Sequence, residues 1–144
     1  GEQLIPLPQA ATWKALNDPA VLKDCIPGCE SIEKISEHEY DLVMAAAIGP
    51  VKARFKGKLT LANIESPLRY DIAFEGQGGM AGFAKGGAHV ELAEADSPQA
   101  TRLMYTVHAS VGGKLAQVGS RLVDGAAKKI AAAFFERLQQ TLSN

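Results

Sequence analysis

The carboxy-terminal part of the chain constrains the fold most, because a strand, a glycine pair and a long helix with one apolar face follow one another there. Leu103 to Val111 has the composition of a strand, and Gly112-Gly113 ends it. From Lys114 to Leu142, apolar residues recur at three- and four-residue steps, which predicts one continuous helix. These residues are Leu115, Val118, Leu122, Ala126, Ile130, Phe134, Leu138 and Leu142. Such a helix of about 28 residues spans roughly 42 Å, enough to cross a small domain.

Most of the preceding sequence is typical of strands. Near the amino terminus we predict a short strand over residues 3–6, a helix over residues 7–17 and a second helix that Asp18 caps and that ends near Cys25. From Ser31 onward, apolar and polar residues alternate between glycine- and proline-containing turns. The sequence therefore predicts an α+β domain over residues 1–144, in which one curved antiparallel sheet lies against the long helix.

The segment from Val51 to Leu61 carries the clearest strand pattern, since its odd positions are apolar or glycine and most of its even positions are basic. The segment from Tyr70 to Glu75 alternates in the same way, and Ser66-Pro67 lies between the two. A hairpin that keeps both apolar faces together fixes the register to within two residues. The register that we predict pairs Leu59 with Phe74, Lys58 with Glu75 and Gly57 with Gly76.

The basic stripe of this strand consists of Lys52, Arg54, Lys56 and Lys58. Four cations on one face could bind an anionic membrane or an acidic protein. We favour the alternative of a solvated outer face with ion pairs to neighbouring strands, such as Lys58 with Glu75.

Four segments, in order along nearly the whole chain, resemble the CoxG-like family, which is named for carbon monoxide dehydrogenase. They are Asp18-Pro19 leading to Cys25-Ile-Pro-Gly-Cys29, Ile48-Gly-Pro-Val-Lys52, Gly78 to Gly86, and Gly112 to Leu122 followed by Gly125-Ala-Ala-Lys-Lys and Phe134-Phe135. The resemblance implies a START-like (SRPBCC) helix-grip fold, in which a curved antiparallel sheet of about seven strands wraps around the long helix. It also implies two short helices after the first strand.

The segment from Gly76 to Ala81 formally matches the G-x-G-x-x-A fingerprint of dinucleotide sites. That fingerprint opens a helix, whereas here a strand around Ala88 to Leu92 follows, so we do not assign a cofactor to it. One interpretation is a sharp bend of the sheet. The one we favour is a flexible gate at a cavity mouth, formed by Met80, Phe83 and Ala84.

Candidate catalytic and metal-binding residues are few. Cys25 and Cys29 have neither histidines nor carboxylates in the right spacing for zinc, and we interpret them as buried free thiols. Of His38, His89 and His108, alternation places the last two on the outer face of the sheet. No Ser-His-Asp or paired-carboxylate pattern is present. We therefore predict a protein that is not an enzyme and has no metal and no cofactor.

Small side chains on the predicted inner faces favour a cavity over a solid core. They are Ala45, Ala46, Ala47, Ala53, Ala109, Ala126, Ala127, Ala131 and Ala133. A sheet that grips a helix with small residues leaves space for an apolar ligand, although tight packing is the alternative. The predicted lining consists of Leu42, Met44, Phe55, Phe74, Met80, Phe83, Leu103, Tyr105, Val107, Leu122, Ile130 and Phe134. The Tyr105 hydroxyl could contact a ligand carbonyl.

Charge and hydropathy limit the remaining function classes. The net charge of −1 argues against a general nucleic-acid binder. No apolar run reaches transmembrane length and no signal peptide is present, so we expect a cytoplasmic protein. The resemblance implies an accessory protein of an aerobic molybdenum hydroxylase-type dehydrogenase that binds a quinone or lipid, with peripheral contact at the inner face of the membrane. The alternatives are a recruitment or maturation protein without a ligand and a cyclase-like helix-grip enzyme.

Overall fold

The structure, a computed structural model, describes residues 1–143 and contains one seven-stranded antiparallel sheet. The strands are β1 (Glu2–Ile5), β2 (Cys29–Ser36), β3 (Glu39–Ile48), β4 (Val51–Glu65), β5 (Arg69–Gln77), β6 (Phe83–Glu94) and β7 (Thr101–Gly112). The helices are α1 (Gln9–Leu16), α2 (Pro19–Cys25) and α3 (Ser120–Leu142). In the sheet the order is β1-β7-β6-β5-β4-β3-β2, so consecutive strands from β2 to β7 are neighbours. The predicted helix-grip architecture is confirmed.

The hairpin of β4 and β5 has the predicted register. Leu59 pairs with Phe74, and Gly57 pairs with Gly76. Lys58 also pairs with Glu75 along the backbone, but the predicted ion pair between their side chains is wrong. Both side chains turn to the strands on their other sides, where the Lys58 Nζ lies 3.7 Å from a Glu39 carboxylate oxygen and the Glu75 carboxylate lies 3.3 Å from the Lys85 Nζ. The outer face is therefore laced by ion pairs, though between different partners.

The two short helices form where their sequence predicts them. The Asp18 carboxylate accepts a hydrogen bond from the Ala20 amide at 2.9 Å and caps α2, with Pro19 in its first turn. In α1 the buried Thr12 hydroxyl donates to the Pro8 carbonyl at 3.1 Å. Together α1 and α2 cover one end of the sheet.

The long helix is shorter than the periodicity predicts. Residues Gly113–Val118 form a 3₁₀ helix, and α3 begins only at Ser120. Gly119 separates them with φ +92° and ψ 151°, a conformation that is essentially restricted to glycine. The interruption shifts the helical phase, so that Val123 rather than Leu122 faces the sheet. With 23 residues, α3 is roughly 35 Å long.

The interior consists of two apolar clusters on the concave side of the sheet. The first core cluster surrounds Tyr70, Phe135 and Leu138, beneath α1 and α2. The second core cluster surrounds Phe55, Leu115 and Val123, near the 3₁₀ helix that precedes α3. Both clusters contain residues of α3, and the space between them holds the candidate site.

Candidate ligand-binding cavity

A cavity of about 240 Å³ lies between the concave face of the sheet and α3. Its wall takes residues from both core clusters, with Leu61, Tyr70 and Phe135 from the first and Met44, Phe55 and Val123 from the second. Nearly all of the lining side chains are apolar. An apolar cavity of this kind favours an apolar ligand over water.

Small residues create this space, as the sequence predicts. On the wall they are Ala46, Ala84, Gly86, Gly87, Ala88, Ala109, Ala126, Ala127 and Ala131. The predicted inward positions of Ala45 and Ala47 are wrong, because alternation in β3 turns both to the exposed outer face. Ala53 and Ala133 are half-buried and do not line the cavity.

The paired Gly57 and Gly76 give the Phe74 ring its place on the concave face. A Cβ atom at Gly57 would lie 2.7 Å from the Phe74 ring, and one at Gly76 would lie 2.6 Å from it. Because neither glycine carries that atom, the ring lies flat across the two strands. This packing sets the shape of one wall.

Seven of the twelve residues predicted to line a cavity are brought together on its wall. They are Leu42, Met44, Phe55, Phe74, Val107, Ile130 and Phe134. All of them follow from the inward face of a strand or from the apolar face of α3.

Two other predicted residues, Leu103 and Tyr105, lie on the concave side but outside the wall. Leu103 is fully buried in the first core cluster, at the end of β7 that pairs with β1. The Tyr105 ring stacks on Phe135 with centroids 4.2 Å apart. That stacking fills the space beside α3 and removes Tyr105 from the cavity, so its predicted contact with a ligand carbonyl is not supported.

Met80, Phe83 and Leu122 lie away from the wall as well. Met80 is 97% exposed on the 3₁₀ turn Gly79–Ala81. Phe83 begins β6 on the convex side, since the even residues of that strand face inward. Leu122 lies over the Gly49 turn because Gly119 shifts the phase of α3. The structure therefore does not place the predicted gate residues Met80 and Phe83 at the cavity.

The sequence prediction missed the contribution of α1 and α2, which close the cavity with Leu16, Leu22, Ile26 and Pro27. Leu22 and Ile26 lie four residues apart and so share a helical face, which is a signal that the sequence does contain. The side of the sheet on which that face packs is a tertiary property, which the periodicity does not give.

Tyr70 is the other residue that the prediction missed. It lies on the wall, is 2% exposed and packs edge-on against Trp13 with centroids 5.1 Å apart. Burial raises the pKa of its phenol, so the hydroxyl stays protonated. No hydrogen bond within residues 1–143 involves this hydroxyl, although every fully enclosed side-chain polar atom of these residues has a partner. The Tyr70 oxygen therefore borders open space.

Ionisable side chains lie mainly outside the cavity. Lys85 and His108 border it near Gly86 and Gly87, but both side chains are exposed. On the convex face, the His89 Nδ1 lies 2.6 Å from an Asp71 oxygen, and this hydrogen bond raises the pKa of His89. Asn63 and then His89 lower the pKa of Asp71. No nucleophile hydrogen-bonded to this pair is found in residues 1–143.

The two cysteines are free thiols, as predicted. Cys25 is buried and its Sγ lies 3.9 Å from the Thr141 hydroxyl, while Cys29 is half-buried. Burial is the main cause that raises the pKa of both thiols, which disfavours reactive thiolates. In the described part of the chain, no cluster of histidine, cysteine and carboxylate side chains could hold a metal ion.

The curved sheet, the carboxy-terminal helix and the apolar cavity between them define a helix-grip protein. Within this class the chain belongs to the carbon monoxide dehydrogenase CoxG family, whose model matches residues 1–143. No curated protein sequence matches the chain significantly. Over residues 1–143, none of the helices has both the length and the apolar composition needed to cross a bilayer.

Solved structures agree with this assignment. A conserved protein from Geobacillus kaustophilus is 31% identical, with a TM-score of 0.86 over 99% of this chain and 92% of its own. The Zhui aromatase/cyclase from Streptomyces sp. R1128 is 12% identical, with a TM-score of 0.66 over 99% of this chain and 91% of its own. Ara h 8.0201 is 17% identical, with a TM-score of 0.65 over 100% of this chain and 96% of its own. The last two similarities concern the fold alone.

Proposed function

We propose that this protein is a non-catalytic accessory protein of an aerobic molybdenum-containing dehydrogenase of the carbon monoxide dehydrogenase type. We further propose that its cavity binds the apolar part of a quinone or lipid. The family assignment supports the accessory role. The observation that carries the binding role is the apolar cavity between the sheet and α3. Electron chemistry in this scheme belongs to the partner dehydrogenase, and the accessory protein carries or presents the ligand.

The size of the cavity limits what it encloses. A cavity of about 150 Å³ is enough to bind benzene. The 240 Å³ available here suits a substituted quinone ring or a short segment of an acyl chain. A long isoprenoid or acyl tail would therefore extend beyond the enclosed space.

Tyr70 favours a ligand that carries a carbonyl group. Its protonated hydroxyl is a hydrogen-bond donor on an otherwise apolar wall, and a quinone oxygen is a matching acceptor. This arrangement of many apolar contacts and few polar ones is typical of small-molecule sites. The same wall offers no acid–base pair, which argues against the cyclase-like alternative.

Native mass spectrometry of the purified protein, with organic extraction of bound material, tests the binding role. We expect a co-purifying quinone or lipid, or a mass shift when menadione, a naphthoquinone without an isoprenoid tail, is added. A clean mass that neither menadione nor decanoic acid shifts would support the recruitment or maturation role instead.

Filling the cavity tests where the ligand binds. Ala109→Phe and Ala127→Phe each place a large side chain on the wall and should abolish menadione uptake. Ala47→Phe, on the exposed outer face of β3, is the matched control and should keep uptake. Each variant is checked by its melting temperature, since overpacking a solid core would cost about 1–3 kcal/mol. Uptake that survives both wall substitutions in folded protein would show that the ligand binds elsewhere.

A further inference from the structure

A shallow cationic groove lies on the convex side, where β4 passes the 3₁₀ turn Gly79–Ala81. Its residues include Lys52, Lys56, Lys114 and Met80, which are called the Met80 surface below. No carboxylate lines this groove. The surface therefore concentrates positive charge on a protein whose net charge is −1.

The lysines of the Met80 surface are free of ion pairs. Among residues 1–143, no carboxylate lies within 4.0 Å of the ammonium groups of Lys52, Lys56 or Lys114, whereas the neighbouring Arg54 pairs with Glu30. The ion pairs of the convex face thus neutralise part of the basic stripe and leave this end positive. Uncompensated lysines attract an anionic partner.

Met80 projects from the middle of this charge. Its side chain is 97% exposed, the highest value among the large hydrophobic residues that are exposed in the structure. The turn that carries it is closed by hydrogen bonds from the Gly78 amide to the Gly82 carbonyl at 2.7 Å and from the Gly82 amide to the Gly79 carbonyl at 3.1 Å. Gly79 and Gly82 have φ values of +63° and +111°, which hold the turn in this shape.

We propose that the Met80 surface docks this protein onto an anionic lipid bilayer, a role that rests on the proposed function in so far as the ligand comes from a membrane. Lys52, Lys56 and Lys114 contact lipid phosphates, and Met80 inserts between the headgroups. An isolated methionine among lysines fits a bilayer better than a protein partner, whose binding surfaces centre on tryptophan, tyrosine or arginine anchors in pockets.

The Met80 surface also lies one residue layer from the cavity. A Cβ atom at Gly78 would lie 2.9 Å from the Phe55 ring, and Phe55 is on the cavity wall. Docking through this surface would therefore bring the end of the molecule near the second core cluster to the bilayer, from which an apolar ligand can be taken.

Vesicle flotation tests the proposal. We expect the protein to float with phosphatidylcholine vesicles that contain phosphatidylglycerol, to bind pure phosphatidylcholine weakly, and to lose binding at high salt. Each lysine near an anionic surface contributes about five-fold to partitioning, so K52Q/K56Q/K114Q should reduce binding about 100-fold. Met80→Ser should reduce it about ten-fold, because it removes the inserted apolar group.

The matched control removes the same charge elsewhere. K14Q/K128Q/K129Q lies on α1 and α3 and should keep binding within about two-fold. The proposal is overturned if the wild-type protein ignores anionic vesicles, if it binds an acidic polypeptide such as polyglutamate instead, or if both triple variants lose binding equally.

Menadione uptake separates this proposal from the proposed function. It is measured on the same variants by native mass spectrometry without vesicles, and the melting temperature reports folding. Normal uptake with no vesicle binding by the wild-type protein overturns the docking surface and leaves the cavity role standing. Vesicle binding without uptake overturns the cavity role and leaves the surface standing.

Discussion

At the scale of single residues, Tyr70 is the polar group that a ligand in the cavity would meet first. Removing its hydroxyl should weaken menadione binding up to about ten-fold, the effect of one hydrogen bond, and leave 2-methylnaphthalene, which has no carbonyl, unchanged. Quenching of Trp13 fluorescence measures both, since Trp13 is the only tryptophan and packs against Tyr70. The variant is Tyr70→Phe.

Tyr105→Phe provides the comparison, because Tyr105 stacks on Phe135 outside the wall. It should bind both probes as the wild-type protein does. Equal binding of menadione by the Tyr70→Phe variant and the wild-type protein would contradict the hydrogen bond.

Single residues also show how far sequence patterns reach. Alternation identifies the concave face of a strand, and it correctly turned Phe55, Phe74 and Val107 inward. It does not say where along the strand the space opens. Leu103 and Tyr105 share a face with Val107, yet they pack into the first core cluster or beside it, because α3 lies closer to the sheet there.

At the scale of elements, Gly119 sets where α3 begins and hence which residues face the cavity. Gly119→Ala should destabilise the fold by about 1–3 kcal/mol, since the backbone there has φ +92° and no neighbouring atom within 4 Å adds a clash. Gly125→Ala, inside α3 and equally uncrowded, should instead stabilise it by up to about 1 kcal/mol. Chemical denaturation measures both changes.

A different pairing of results would be informative. If both substitutions were stabilising, the chain would tolerate one continuous helix from Lys114, as its periodicity predicts. The apolar repeat alone cannot distinguish these cases, because it continues through Gly119 without a break. The register of β4 and β5 was predictable for the opposite reason, since a hairpin that keeps its apolar faces together admits few alternatives.

At the scale of the whole molecule, the helix-grip architecture followed from one long helix after a run of strands, together with the family resemblance. The existence of a cavity followed from the small residues on facing elements. Its closure did not, because α1 and α2 cover it through contacts between segments distant in sequence. The ion pairs of the convex face were also beyond prediction, since Lys58 and Glu75 each had another strand to choose from.

The space between the two core clusters makes the molecule sensitive to hydrostatic pressure. Volume enclosed by a folded chain is lost on unfolding, so pressure favours the unfolded state in proportion to that volume. Protein stripped of ligand should therefore unfold at a lower pressure than protein saturated with menadione, as followed by Trp13 fluorescence. Ala127→Phe should raise the unfolding pressure of the stripped protein, and menadione should then add nothing. Compressibility thus becomes a measure of how much of the cavity is filled, whatever the chemistry of the molecule that fills it.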